Sequence, residues 1–99
     1  MTNKNNEEII REIKDYIDKC GGPYSSWYVG IASDAKRRLR DEHNVINEAY
    51  IYRTAASAQD ARQIEKYLIE TLGTDGGPGG GDETTNMVYA YKKSPSTNP

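Results

Sequence analysis

One carboxylate in this 99-residue chain lies where a charged side chain is unexpected, and it is the first candidate for chemistry. Glu65 follows Ala61 by four residues and precedes Leu68 by three, so on a helix it lies within the apolar stripe that those residues define. A carboxylate is rarely carried on an apolar face without a partner, because its desolvation is costly. Two interpretations remain open: a half-buried ion pair with an arginine, which periodicity alone favours, and a divalent-metal ligand or catalytic carboxylate.

A second candidate is the only dense basic segment, which contains Lys36, Arg37, Arg38 and Arg40. Arginine suits phosphate oxygens because its planar guanidinium donates paired hydrogen bonds. The chain has 13 basic and 15 acidic residues and a net charge of -2, so it is not basic overall. Any contact with nucleic acid must therefore depend on this local patch. The alternative is an ordinary solvated helix face.

Tyrosine is the third chemical feature, since the chain has eight tyrosines and no phenylalanine. In each predicted strand the tyrosines occupy one parity and the aliphatic residues the other. Side chains alternate across a strand, so the sheet should have an aliphatic face and a tyrosine face. The tyrosine face is either an amphipathic outer surface or the wall of a polar site. The tyrosines concerned are Tyr28, Tyr50, Tyr52, Tyr89 and Tyr91.

Apolar periodicity, capping residues and glycine or proline breakers predict the elements that position these side chains. Their order, α-β-α-β-α-β, predicts an α+β fold with a three-stranded, mainly antiparallel sheet flanked by three helices. We expect a disordered N-terminus over 1–6, a single domain over 7–93 and an extended tail over 94–99. The glycine-dense segment 73–83 is expected to be a connector. The predicted elements are helices over 7–20, 34–43 and 57–72 and strands over 27–32, 49–54 and 87–92.

Composition also constrains the compartment. Cys20 is the only cysteine, so no disulfide can form within the chain, which is typical of a reducing compartment. The first eight residues contain no apolar stretch that resembles a secretory signal, and no apolar run is long enough to span a bilayer. We therefore expect a cytoplasmic protein that is not inserted in a membrane.

Two segments, taken together, resemble the GIY-YIG nuclease superfamily. The run Tyr28-Val-Gly30, followed by Asp34 and Arg38, is similar to the strand and helix of the form D-x-x-x-R in that family. The segment ARQIEKYLI, residues 61–69, resembles the helix that supplies the family's single metal-binding glutamate. Asn86 corresponds to the family's late asparagine. The likeness spans roughly residues 27–72, about half of the chain.

The resemblance implies metal-dependent hydrolysis of a phosphodiester in nucleic acid, with Glu65 holding Mg²⁺ or Mn²⁺. Tyr28 would help to activate water or orient the scissile phosphate, and Arg38 would stabilise the developing charge. His43 would assist proton transfer, although a cation at the helix end is an equally good interpretation of this residue. Gly30 and Arg37 belong to the same motif.

The chain departs from the family pattern because no GIY strand precedes Tyr28. The strand predicted over 87–92 would fill the vacant sheet position, as in a circular permutation. Tyr89 or Tyr91 would then stand where the missing tyrosine belongs. This hypothesis requires that the last strand pair with the strand over 27–32.

Two functions therefore remain open from the sequence. The first is a nuclease, which requires Tyr28, Arg38 and Glu65 to meet in one solvent-reachable pocket. The second is a catalytically inactive relative that keeps the scaffold and uses its tyrosine face to bind a protein or a small ligand. Resemblance of fold does not by itself deliver activity.

Overall fold

The computed structural model describes residues 5–77 and 82–99. In these ranges the chain forms an α+β fold with three α-helices and one four-stranded mixed sheet. A short 3₁₀ turn, Tyr24–Ser26, precedes the first strand, and a π-helical segment, Leu68–Leu72, follows the third helix. The elements are α1 (Asn6–Cys20), β1 (Trp27–Ala32), α2 (Ala35–Asp41), β2 (Tyr50–Thr54), α3 (Ala58–Tyr67), β3 (Asp75–Gly76) and β4 (Met87–Lys92).

Each helix begins at a polar cap that the sequence supplies. Asn5 and Glu8 form a capping box at the start of α1, and Asp34 accepts the amide hydrogen of Arg37 at the start of α2. Ser57 caps α3 through the amide of Asp60 in the same way. These caps satisfy amide groups that have no partner within the helix, so they fix where each helix starts.

The sheet order is β2-β4-β1-β3, with β4 antiparallel to both of its neighbours and β1 parallel to β3. The prediction of a three-stranded, mainly antiparallel sheet was therefore wrong in number. The fourth strand has only two residues, Asp75 and Gly76, which pair with Tyr28 and Val29. Aspartate and glycine are depleted in strands, so the composition of this segment carries no strand signal.

The last strand pairs with the first, as the permutation hypothesis requires. In the β1–β4 register, Tyr28 lies opposite Tyr91 and Gly30 lies opposite Tyr89. The expected division into two faces is also confirmed: one buried cluster unites the aliphatic residues of the strands with the apolar stripes of α1 and α3. The second cluster packs tyrosines of the strands against Ala35 and Leu39 of α2. The sheet thus separates α1 and α3 from α2.

The two ends of the domain differ from expectation. Asn5 and Asn6 belong to the start of α1 rather than to a disordered segment, and residues 1–4 lie outside the described ranges. The segment 94–99 is not an extended tail: the Asn98 amide donates to the His43 carbonyl oxygen at 2.8 Å, and Thr97 is buried. This segment folds back because its backbone groups find partners after α2. That helix ends at Asp41, two residues earlier than predicted.

None of the helices in the described ranges is long and apolar enough to cross a membrane. The connector predicted over 73–83 is described in part: β3 occupies two of its positions, and residues 78–81 lie outside the described ranges.

Candidate functional site

Tyr28, Arg38 and Glu65 lie on β1, α2 and α3, and their charges affect one another's pKa values. Burial raises the pKa of the Tyr28 phenol, the negative charges of Asp75 and Glu65 raise it further, and the positive charge of Arg38 lowers it. The same Arg38 charge opposes the rise in the pKa of Glu65. The charge of each group therefore acts on another of the three, and their convergence in one solvent-reachable pocket stays a prediction.

The guanidinium of Arg38 is held from two sides. Its Nη1 donates to the Ile31 carbonyl oxygen of β1 at 3.1 Å, and its Nε lies 3.3 Å from Glu42 Oε1, one helical turn away. The side chain is still 42% exposed. Arg38 is therefore oriented by the protein while part of its hydrogen-bonding capacity faces solvent.

A polar cavity of about 170 Å³ opens beside this guanidinium. It lies between the basic face of α2 and the loop that precedes β4. Arg37, which is 75% exposed and 3.6 Å from Asp41 Oδ2, contributes to its wall together with Arg38. Thr85 lines the opposite side, and Asn86 follows it, with its carbonyl oxygen accepting from the Ala55 amide at 2.8 Å. The cavity thus presents the guanidinium groups of Arg37 and Arg38 together with the carboxylates of Asp34 and Glu42.

Glu65 is buried more deeply than expected, with 3% of its surface exposed. Its Oε2 has no hydrogen-bond partner, and no ion pair joins it to any residue within 5–77 or 82–99. The half-buried salt bridge favoured by periodicity is therefore absent from the described part of the chain. Burial raises the pKa of Glu65 to about 7, because the apolar surroundings penalise the ionised form. The neighbouring residues of the same helical stripe, Ala61 and Leu68, are fully buried.

This unpartnered oxygen fits the cation that the resemblance implies. A buried carboxylate oxygen is normally paired, so an unpaired one calls for a proton or a cation to complete its environment. No cluster of three or more His, Cys, Asp or Glu side chains suited to a metal occurs among residues 5–77 and 82–99. A lone carboxylate suits Mg²⁺ only where the ion has room for much of its water shell, and Glu65 is only 3% exposed.

Two glycines are required by tyrosines of the site. A Cβ atom at Gly30 would lie 2.4 Å from the Tyr89 hydroxyl oxygen, because the phenol of β4 lies across this position of β1. A Cβ atom at Gly77 would lie 2.7 Å from the hydroxyl oxygen of Tyr28, and the Gly77 backbone lowers the pKa of that phenol. The backbone of the glycine-dense segment therefore lies close to Tyr28 at Gly77, where a larger residue would overlap the phenol.

His43 is the centre of a buried hydrogen-bond network rather than an exposed helix-end cation. Its Nδ1 lies 2.6 Å from the Asn98 carbonyl oxygen and its Nε2 lies 2.7 Å from the Tyr89 hydroxyl. Because a carbonyl only accepts, Nδ1 carries the hydrogen, and Nε2 of the neutral ring accepts from Tyr89. The Tyr91 hydroxyl lies 3.2 Å from Nδ1. Burial raises the pKa of both phenols, so they remain protonated.

The structure thus gathers most of the predicted site residues into two adjoining groups. Sequence reasoning missed Asn98 and Gly77. Asn98 is 55 residues from its partner, and no local pattern signals such a contact. Gly77 lies in a glycine-dense segment, and glycine is typical of places where the backbone closely approaches another group; this composition was the signal available in the sequence.

Comparisons of the chain with protein-family models, with curated proteins and with solved structures give no match.

Proposed function

We propose that this protein hydrolyses phosphodiester bonds in nucleic acid with the aid of one Mg²⁺ or Mn²⁺ ion. The observation that carries this proposal is the unpartnered Oε2 of the buried Glu65, a carboxyl whose pKa is influenced by the charge of Arg38. A phenol, a guanidinium and a lone carboxylate are the groups that the resemblance to GIY-YIG nucleases implies. A cytoplasmic location, consistent with the single Cys20, belongs to the same proposal.

In this proposal the two arginines of α2 bind the scissile phosphate. Arg38 is preoriented by Ile31 and Glu42, so little entropy is lost when its remaining donors engage an oxygen. Arg37 lines the same cavity and adds positive charge for the phosphate. Glu65 would hold the cation, which supplies Lewis-acid polarisation of the phosphoryl oxygen when bound.

The tyrosines orient the reacting groups in this proposal. The Tyr28 ring is packed against those of His43 and Tyr91, at 5.0 and 5.4 Å between centroids, so its hydroxyl would position a water or a phosphate oxygen. Tyr89 would replace the tyrosine of the missing GIY strand. Its hydrogen bond to His43 gives its proton an acceptor, and the antiparallel pairing of β4 with β1 supports the permutation hypothesis.

A second candidate function, a non-catalytic binding module, is favoured by one observation. Glu65 is only 3% exposed, whereas an active site requires a solvent-reachable carboxylate. In this case a protonated Glu65 would be a buried neutral group, and the arginine-lined cavity would bind an anionic ligand without cleaving it.

A cleavage assay separates the two functions. Supercoiled DNA, branched DNA and RNA are each incubated with the protein in Mg²⁺, in Mn²⁺ and in a chelator. Arg38→Ala should lower the cleavage rate by about 100- to 1,000-fold, the usual effect of removing one group that stabilises developing charge. Glu65→Gln should abolish metal-dependent cleavage. Glu70→Gln, on the exposed side of the same segment, is the matched control and should cleave as the wild type does.

The outcomes are distinct for each function. Metal-dependent cleavage that both site variants remove supports the nuclease. Cleavage that survives both substitutions is due to a contaminant, and the nuclease proposal fails. Absence of cleavage on all three substrates, together with binding that Arg38→Ala weakens, establishes the binding module instead.

A further inference from the structure

A second cavity lies on the other side of α2, over the edge strand β2. It has a volume of about 130 Å³, equivalent to about four water molecules in the liquid. Its floor is apolar, and two cationic side chains of α2, Lys36 and Arg40, stand at its rim. The lining residues are Lys36, Leu39, Arg40, Val45, Ile46 and Tyr50. We refer to it as the Tyr50 pocket.

The walls of the Tyr50 pocket include large apolar surface that faces solvent. Tyr50 is 43% exposed and Ile46 is 70% exposed. The ring of Tyr50 is parallel to that of Tyr52, at 3° between planes and 6.3 Å between centroids. The strand that carries the ring is held in place by its antiparallel pairing with β4, in which Tyr50 lies opposite Tyr91. A rigid, exposed aromatic plane is therefore available beside the cavity.

The charge at the rim of the Tyr50 pocket is suited to an anionic partner. Lys36 forms no ion pair with a residue of the described ranges. Among residues 5–77 and 82–99, Arg40 forms an ion pair with its sequence neighbour Asp41 alone, at 3.4 Å; both side chains are largely exposed, and such surface pairs are worth little. Lys36 and Arg40 are four residues apart and therefore lie on the same face of α2. Apolar walls, an aromatic plane and two available cations occur together at this one place.

We propose that the Tyr50 pocket binds an unpaired base of single-stranded nucleic acid, which stacks on Tyr50 while Lys36 and Arg40 contact the adjacent phosphates. Stacking on an aromatic ring requires a base that has left the duplex, whereas phosphate contacts alone do not distinguish single from double strands. The inference rests on the proposed function and specifies its substrate class: a strand with unpaired bases next to the cleaved bond.

The position of the pocket relative to Arg38 supports one continuous path for the strand. The helix α2 contributes Lys36 and Arg40 to the Tyr50 pocket and Arg37 and Arg38 to the polar cavity. Below it, β2 and β1 are separated by β4 alone, and Tyr50 is level with Tyr28, four residues before the Ala32 of the polar cavity. Two strand spacings across the sheet and four residues along it place the two ends of the path about 16 Å apart. A strand of a few nucleotides therefore spans the base site and the phosphate site.

The test measures binding without cleavage, so that it remains informative whether or not the protein is an enzyme. Fluorescence anisotropy in a chelator follows the binding of labelled oligothymidylate, of an abasic strand of equal length and of a duplex. Tyr50→Ala should weaken the binding of oligothymidylate by about 5- to 100-fold, the effect of losing one base stack, and leave the abasic strand unchanged. Tyr50→Phe, which keeps the ring, should bind as the wild type does.

Two further variants complete the design. Tyr67→Ala is the matched control, because Tyr67 is 41% exposed on α3, away from the pocket. Lys36→Ala should weaken both single strands equally and reduce the slope of log affinity against log salt by about 1.

The proposal is overturned if oligothymidylate does not bind, if it binds no better than duplex, or if Tyr50→Ala weakens the abasic strand as strongly as oligothymidylate. A protein that cleaves duplex DNA and shows no dependence on Tyr50 would retain the proposed function and lose this inference. Binding that depends on the base and on Tyr50, without any cleavage, would support this inference while the proposed function fails.

Discussion

Burial of Glu65 leads to a specific pH dependence of stability. Its pKa is raised from 4.5 to about 7 in the folded protein, so between these values the folded chain retains a proton that the unfolded chain has lost. Stability that depends on this proton is fully present below pH 4.5 and decreases as the pH rises to about 7. Above that value both states are ionised at this position, and the group contributes no further change.

The size of the effect follows from the shift itself. One pKa unit corresponds to about 1.4 kcal/mol, so the free energy of unfolding should fall by about 3 kcal/mol across this window. For a domain of this size the loss corresponds to about 1 to 3 M in the urea midpoint. Carboxyl groups whose pKa is lowered, such as Glu48 at about 2, titrate below the window and do not obscure it.

The measurement is urea unfolding from about pH 4.5 to pH 8, for the wild type, Glu65→Gln and the exposed control Glu70→Gln. The stability of Glu65→Gln relative to the wild type should increase by about 3 kcal/mol over this range, while Glu70→Gln follows the wild type. In Mg²⁺ the wild type should lose less stability, because a cation bound to the ionised carboxylate replaces the proton. Parallel pH profiles for Glu65→Gln and the wild type would refute the assignment of a raised pKa to this residue.

Three further predictions test the surroundings of the site. Arg38→Ala should raise the pKa of Glu65 above its wild-type value, since a favourable charge is lost; a titration of the Glu65 carboxyl carbon by NMR measures this, and an unchanged value would refute the electrostatic contact. Gly30→Ala should lower the free energy of unfolding, measured in urea, by about 1 to 3 kcal/mol, because the new methyl group overlaps the Tyr89 phenol. A loss below about 0.5 kcal/mol, which is typical of surface substitutions, would contradict the close approach. Deleting the last two residues removes the carbonyl that accepts from His43 and should populate its other tautomer in nitrogen NMR spectra, whereas Asn98→Ala keeps that carbonyl and should not.

The regular part of the fold was predictable because the signals are local. The strands over 27–32 and 87–92 have the predicted bounds, since each combines β-branched and aromatic residues between clear breakers. β3 was not predictable: two residues, aspartate and glycine, form a strand only because the edge of β1 is available to them. The folding back of residues 94–99 likewise depends on contacts with His43 and Asn44, far along the chain.

The site was predictable where a residue type conflicts with its position. Glu65 was identified because a carboxylate within an apolar stripe violates the usual pattern, and the charge of Arg38 acts on its pKa without an ion pair between the two side chains in the described ranges. Its partner-free burial was not predictable, since periodicity gives the face of a helix but not the depth at which a side chain lies. The role of His43 in a buried network could not be predicted either, because both ring partners lie more than 45 residues away.

The raised pKa of Glu65 also connects its burial with the proposed chemistry. At pH 7 a carboxyl with a pKa of about 7 is half ionised, so displacing its proton costs only about 0.4 kcal/mol. Each pH unit below 7 adds about 1.4 kcal/mol, and a cation must bind correspondingly more weakly. Ionisation of Glu65 is therefore inexpensive at neutral pH, whereas a cation must also lose hydrating water to reach a side chain that is only 3% exposed. The neutral form avoids a buried unpaired charge when no cation is bound, so the same residue serves folding and the proposed catalysis in different protonation states.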